Sequence, residues 1–487
     1  MPRKHFVIFS AATALLLGQA RPPASPIHLR NTEIGWRLAP SEQAYSSIDG
    51  KHLMLYVDEL TAMARRYRDN GHPQFWGRII GTAADTENAE WMLAKFRQLG
   101  MSDVHEQYFD LPPQWMPQSW SAVASVAGAS SSGKTVSLDS AQPTYLSKAT
   151  PPGGLEAEAV YAGLGSEADI ALARDVKGKA VFFYSTDTGS RHIGVSDGAI
   201  KRLADRGAAA VFVILGIPGN ERTQFYPVNC PVPSFSLGQK DGLAMRDLIA
   251  QAGGEPVHVK IRLDVTLVPN LKSGTVWGSL PGTTDENVLV VAHRDGWFEG
   301  ANDNATGVAT LLGIAEYFAK IPQRNRRRGI TFLGTTGHHN NTAESGAWLQ
   351  QHPEVFAKTA LLFNSEHTGL KQTALAANQF SNAPAIYRWY AGDSPKLLDI
   401  AIKAMQAFGV PTFPESSPSP PGEIGRYYHF APSVEIINTG YVWHSDQETS
   451  DTISNTGMEA VTRAYARIIA DTDLVPIQDL RAAENRR

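Results

Sequence analysis

Short apolar runs punctuate the C-terminal half of the chain at Val288–Ala292, Ile330–Gly334, Ala360–Asn364 and Ser433–Asn438. Each is a short apolar run, as expected for strands buried on both faces. Between the first two, Val308, Leu311, Leu312, Ala315 and Phe318 fall at the spacing of one helical face. Met458, Val461, Tyr465, Ile468 and Ile469 predict a last helix in the same way. Strand and helix therefore alternate from about residue 266 onward. The expected fold is α/β, with a mostly parallel central sheet covered by helices on both faces.

Upstream the texture differs. Residues 45–112 carry helical patterns, among them Ala89–Phe96, which runs out at Gly100. Residues 145–265 read as a smaller α/β unit with one strong helix–strand pair, Ile200–Gly207 followed by Ala208–Leu215. The stretch from Phe413 to Gly422 is too rich in proline for a helix or a central strand and is expected to be a long loop. The expected division is 1–20 signal peptide, 21–144 first part of the main domain, 145–265 insert, 266–475 remainder of the main domain and 476–487 tail.

At 487 residues the chain is too long for one core. Its 44 Lys and Arg against 48 Asp and Glu lack the basic excess of a nucleic-acid binder. Arg3 and Lys4, the apolar stretch Phe6–Leu17 and the small residues of Gly18-Gln19-Ala20 read as a signal peptide cleaved after Ala20. No cysteine follows it, so no lipoprotein is expected, and no later apolar run is long enough to span a membrane. The mature protein is expected to be periplasmic or secreted. Cys230 is the only cysteine, so no internal disulfide can form, and it reads as a buried structural thiol.

Candidate chemistry gathers where the predicted strands end, which is where open parallel sheets bind ligands. His293 follows the first strand, His338 and His339 the second, Glu366 the third, and His444 the fourth and its Gly440 turn. Asp303 lies between the first strand and its helix. Imidazole and carboxylate groups suit zinc. Asp303 can bridge two ions, and Asp295 is placed to hold an imidazole from behind. Each residue also has an ordinary reading. Asp303 and Asn304 could cap the next helix, Glu366 could be solvated, and His367 beside it could be nothing more. Arg326-Arg327-Arg328 reads as a solvated turn, and Arg426 as a loop cation.

The segment AHRDGWFEGANDNATGVATLLGIAEYF resembles the zinc exopeptidases of the glutamate carboxypeptidase II, transferrin-receptor and dizinc aminopeptidase group. The resemblance extends to FWGRIIGTAADTENAEWMLAKF and to WHSDQETSDTIS. It implies His293, Asp303, His339, Glu366 and His444 as ligands of one or two zinc ions, two being the family's number. It also makes residues 145–265 resemble a protease-associated insert, which in the family shapes substrate access without carrying chemistry. The implied activity is hydrolysis of an amide, a terminal peptide bond at the amino or carboxyl end. The substrate is a peptide or another small amide, and the oligomeric state is left open, a dimer included.

Two departures qualify this. The family has Glu-Glu at the second strand end, a general base and a ligand, where this chain reads GTTGHHNNTAESG. His338, or Glu344 six residues on, then becomes the candidate base, and Asp295 completes the catalytic set. Many relatives have Tyr before the last His, where Trp443 stands here. Trp443 and Tyr441 are the substrate-binding candidates, with Tyr427 as another hydroxyl. The altered base keeps two alternatives in view: a different metal-dependent reaction on the same fold, and a catalytically lapsed binding protein.

Overall fold

In the computed structural model, residues 37–126, 135–173, 175–185, 192–340, 347–374, 379–384, 387–391, 394–414, 420 and 422–481 are described. The signal-peptide reading of residues 1–20 and the candidate base Glu344 lie outside them.

The first sheet has eight strands: β1 (Ser102–Asp110), β2 (Lys272–Leu280), β3 (Asn287–His293), β4 (Gly329–Thr335), β5 (Thr359–Ser365), β6 (Tyr387–Ala391), β7 (Thr412–Pro414) and β8 (Ser433–Ile437). Their order across the sheet is β7-β6-β8-β5-β3-β4-β2-β1. The four apolar runs become the four central strands, all parallel. Antiparallel partners extend the sheet on either side. Of the Pro-rich stretch from Phe413, Phe413 and Pro414 lie in β7 at the sheet's edge, where a proline costs no central ladder bond.

Strand alternation divides the core. Val288, Val290 and Ala292 face one side with Ile330, Phe332, Leu361, Phe363, Val434 and Ile436. There they meet helices α1 (Gly50–Asp69), α2 (Ala83–Gln98), α3 (Gly307–Ala319), α4 (Pro395–Ala407) and α5 (Asn455–Thr472). Leu289, Val291, Leu333 and Leu362 face the other side, against Trp348, Phe356 and Tyr427. Because both faces are covered, β3 shows no polar alternation. The mostly parallel centre and the helices on both faces match the expected fold class. Asp49 and Thr82 cap α1 and α2 through their side chains, the usual way to satisfy free N–H groups at a helix start.

A second eight-stranded sheet uses residues 114–126, 135–137, 142–143, 155–161, 180–185, 210–215, 234–237 and 257–268. The chain leaves the first sheet at Asp110 and returns at Lys272, and these two residues are register partners. Cys230 is buried in this part, where burial raises its thiol pKa.

The arginine run departs from the solvated turn expected of it. Arg326 donates to Phe318 O and Ile321 O, both at 2.6 Å, closing the C-terminus of α3. Arg328, only 1% exposed, bonds Glu286 at 2.8 Å and donates to Thr472 O and Val475 O beyond α5. Both arginines thus meet carbonyls that a helix end leaves without partners. We expect Arg328→Ala to cost about 1–3 kcal/mol in denaturant unfolding, since it leaves two carbonyls without their donor while Glu286 keeps Arg327. The exposed Arg324→Ala should change stability by less than about 0.5 kcal/mol.

The two sheets' units are tied at Arg222, whose Nε donates to Asp446 Oδ2 at 3.2 Å. Beside it, burial pushes the Glu221 carboxyl up to about 7 against an opposing backbone hydrogen bond, and the Asp446 charge adds to the rise. Its folded value exceeds its unfolded value, so the neutral form is favoured and stability is lost as pH rises from about 4 to 7. Glu221→Gln should therefore stabilise the protein at pH 8 by about 2–3 kcal/mol and leave it unchanged at pH 4, read from melting curves at the two pH values.

Candidate metal centre

The strand-end residues converge on one carboxylate. His293 ends β3, and its Nε2 lies 3.2 Å from Asp303 Oδ1. Asp303 Oδ2 is approached by His339 Nε2 at 3.2 Å, His367 Nε2 at 3.2 Å and His444 Nε2 at 3.0 Å. These four imidazoles follow four different central strands. Glu366 Oε1 lies 3.8 Å from both His293 Nε2 and His367 Nε2. All six residues are at most 2% exposed.

The backbone explains the convergence. Asp303 lies in the irregular turn Ala301–Thr306, and the Asp303–Asn304 peptide bond is cis. Gly300 has a φ of 51°, and a Cβ there would sit 2.5 Å from Asp303 O. Asp303 does not cap α3, whose N-cap residue Thr306 makes no side-chain cap bond either. Asn304 instead ties strand ends: Nδ2 donates to His293 O at 3.1 Å and Ser365 O at 3.0 Å, and Oδ1 accepts from His367 N at 3.2 Å. A Cβ on Gly307 would lie 2.1 Å from Ser365 O, so only glycine lets α3 start so close to β5. His367 and His444 have positive φ, 53° and 61°. That backbone turn brings His367 to the same side as Glu366, where an extended chain would send neighbours apart.

Groups behind the ligand candidates hold them. Asp295 Oδ2 meets His339 Nδ1 at 2.9 Å and accepts His339 N at 3.1 Å. Glu448 accepts from Asp303 N at 2.6 Å and His444 N at 2.9 Å. Buried Arg78 donates to Glu299 O at 2.6 Å, Gly300 O at 3.0 Å and Arg294 O at 3.1 Å, pinning the loop that leads to Asp303. Trp443 Nε1 donates to Asp303 Oδ2 at 2.6 Å.

Electrostatics separates the histidines. Burial, then the neighbouring His293, pushes His338 down to about 3. Burial likewise takes His444 to about 3. For His339 burial is outweighed by Asp303 and Asp295, which raise it to about 9. Burial disfavours the Asp303 charge, yet the His339 and His367 imidazoles hold it well below the usual carboxylate range. Burial and the Asp303 charge push Glu448 up to about 8.

The residues fit a metal. His293 Nε2, Asp303 Oδ1 and both ring nitrogens of His367 are buried without a hydrogen bond, and stranding each such group costs about 1–3 kcal/mol. The triads His293–Asp303–His339 and His293–Glu366–His367 each offer donor atoms within 4.8 Å of one another, close enough for one cation to satisfy them.

The sequence candidates His293, Asp295, Asp303, His338, His339, Glu366, Trp443 and His444 meet here. Tyr427 does not; it is packed in the apolar cluster on the opposite face of the sheet. Tyr441 is half-buried on the His444 loop, without a bond or ring contact to the constellation among the described residues. His367, Glu448, Arg78 and Tyr226 were not singled out as site residues. Tyr226 OH lies 2.9 Å from His338 Nε2.

Residues 275–469 match the family described as Peptidase family M28. A probable glutamate carboxypeptidase of Zea mays is 26% identical over 355 residues, covering 58% of this chain and 47% of the relative. An aminopeptidase of Bacillus subtilis is 27% identical over 262 residues, covering 52% and 50%. The chain thus spans about half the length of the curated relatives it matches. Among solved structures, a zinc aminopeptidase from Bacillus subtilis superposes with a TM-score of 0.62 at 18% identity, covering 87% of this chain and 95% of that one. A peptidase M28 precursor from Shewanella amazonensis gives 0.66 at 17% identity, covering 89% and 97%. These two likenesses establish the fold. Residues 275–469, the stretch that carries the whole constellation, are similar to peptidase family M28.

Proposed function

We propose that the protein is an exported, metal-dependent exopeptidase acting on a terminal peptide bond of a peptide or small amide. The observation that carries this reading is the convergence of four imidazole Nε2 atoms, from four strand ends, on the Asp303 carboxylate. The aminopeptidase and carboxypeptidase names of its relatives support it. His293, Asp303, His339, Glu366 and His444 would hold zinc, one ion or two, and His367 joins them as a sixth candidate. The ion, when bound, polarises the scissile carbonyl and acidifies water.

The chain's own residues would supply the rest. Asp295 orients His339 through Nδ1. His338, kept neutral by burial, takes the proton of the attacking water as its oxygen bonds to the carbonyl carbon. As the C–N bond breaks, that proton passes to the leaving amine. Glu344 remains a second candidate for this role. We draw the inserted unit from about 111 to 271, wider than 145–265, because the strand Gln114–Val126 pairs along Val257–Val268. Among the described residues no helix is long and apolar enough to cross a membrane.

The His-His pair favours one competing reading, a lapsed enzyme that binds without hydrolysis. His338→Ala separates the two. The peptidase reading expects kcat to fall about 10²–10⁴-fold with metal retained, whereas a wild type that cleaves nothing across aminoacyl and acyl-blocked amides supports the lapsed protein.

Metal content should be read by inductively coupled plasma mass spectrometry on protein purified without chelators. We expect one or two zinc ions per chain, and loss of amide hydrolysis when they are stripped. Protein carrying no zinc, cobalt or manganese would reject the proposal. Asp295→Asn should weaken metal affinity about 10–100-fold in chelator competition, because His339 loses the carboxylate behind it.

A further inference from the structure

We propose that Tyr226, carried by the second sheet's unit, is a catalytic residue of the metal centre, its phenol donating to the oxygen on which charge builds as the amide is attacked. The proposal rests on the exopeptidase reading and assigns chemistry to a part of the chain outside the family match at residues 275–469.

Attack on a carbonyl needs a donor aimed at the developing oxyanion. The strong donors around the centre are committed elsewhere. The Trp443 indole N–H is on Asp303 Oδ2 at 2.6 Å. The Arg78 guanidinium is on backbone carbonyls, and that of Arg294 is on Asp85 and Gly274 O. Tyr226 differs, because its hydroxyl faces His338 Nε2, 2.9 Å away, a partner it can exchange for substrate. Burial separates this pair from the rest. His293, Asp303, Glu366 and His367 are at most 1% exposed, whereas Tyr226 and His338 both keep part of their surface open.

The phenol is also held in register with the centre. Residues 222–224 are strapped to the His444 loop. Gln224 N donates to His444 O at 2.9 Å, Asp446 N donates to Arg222 O at 3.0 Å, and Thr223 and Ser445 form an antiparallel bridge. Phe225, Val228 and Cys230 share a core with Trp443, so the ligand loop packs into the second unit. Two residues past the strap, the Tyr226 ring lies 13° from parallel with His339 and 4.9 Å from His444 between centroids. A substrate-access element needs no such attachment to a ligand loop.

The test compares full-length wild type with Tyr226→Phe. We expect kcat to fall about 10²–10³-fold, KM to stay within about threefold, and metal content and melting temperature to match wild type. Independently of turnover, calorimetry with an aminoacyl phosphonate, a tetrahedral mimic, should show a loss of affinity of the same order. Affinity for the product amino acid should be unchanged. Fluorotyrosines at position 226 keep the ring's shape and change its acidity, so log kcat should vary with phenol acidity even where the Phe variant folds poorly. Equal kcat and equal phosphonate affinity in the Phe variant, or a flat fluorotyrosine series, would overturn the assignment. A wild type that cleaves no terminal amide would overturn the peptidase reading and the catalytic role with it, whatever its phosphonate affinity, whereas a cleaving wild type matched by the Phe variant overturns the Tyr226 assignment alone.

Discussion

The buried carboxylate of Asp303 is the group around which this structure is arranged. At 1% exposure it has almost no water to solvate its charge, and burying a carboxylate without compensation costs several kcal/mol. Compensation comes from four imidazoles, one indole N–H, and Arg78 charge behind the loop. No single loop could supply such a set. Four parallel strands can, because each ends on the same edge and each brings one imidazole to Asp303 there. The requirement to surround one charge thus explains the close start of α3 at Gly307 and the left-handed backbone of His367 and His444.

The central strands and most of the ligand candidates could be read from the sequence for one reason. A strand buried on both faces leaves a mostly apolar run, so a titratable residue shortly beyond it stands out. His293, His339 and Glu366 are such residues. His367 is not legible in that way. As the neighbour of Glu366 it should point to the opposite side, and only a φ of 53° reverses that. Local sequence does not encode a left-handed turn at this histidine, whose backbone N–H is held by Asn304 from 63 residues away.

Glu448, Arg78 and Tyr226 were hidden by distance along the chain. Tyr226 is 112 residues from His338 and Glu448 is 145 from Asp303. Their partners are known only once two units are docked and two loops are folded. The arginine run illustrates the same limit from the other direction. Three cations before a strand look solvated until the ends of α3 and α5 bring unpaired carbonyls beside them. Sequence pattern records which face a residue takes, but not which orphaned backbone group will lie opposite.

The His-His pair at the second strand end bears on which elements must cooperate. A carboxylate can accept a proton and bind a cation without further help. An imidazole presents one acceptor nitrogen, and which one depends on what the other nitrogen meets. For His339 this is decided within the first sheet's unit, by Asp295 on Nδ1. For His338 the partner is Tyr226 on Nε2, from the second unit. Of the His-His pair, one imidazole is thus held from within the first sheet's unit and the other is met from the second. Arg222 with Asp446 and the bridge at Thr223 and Ser445 dock the two units, so the surroundings of His338 depend on that docking.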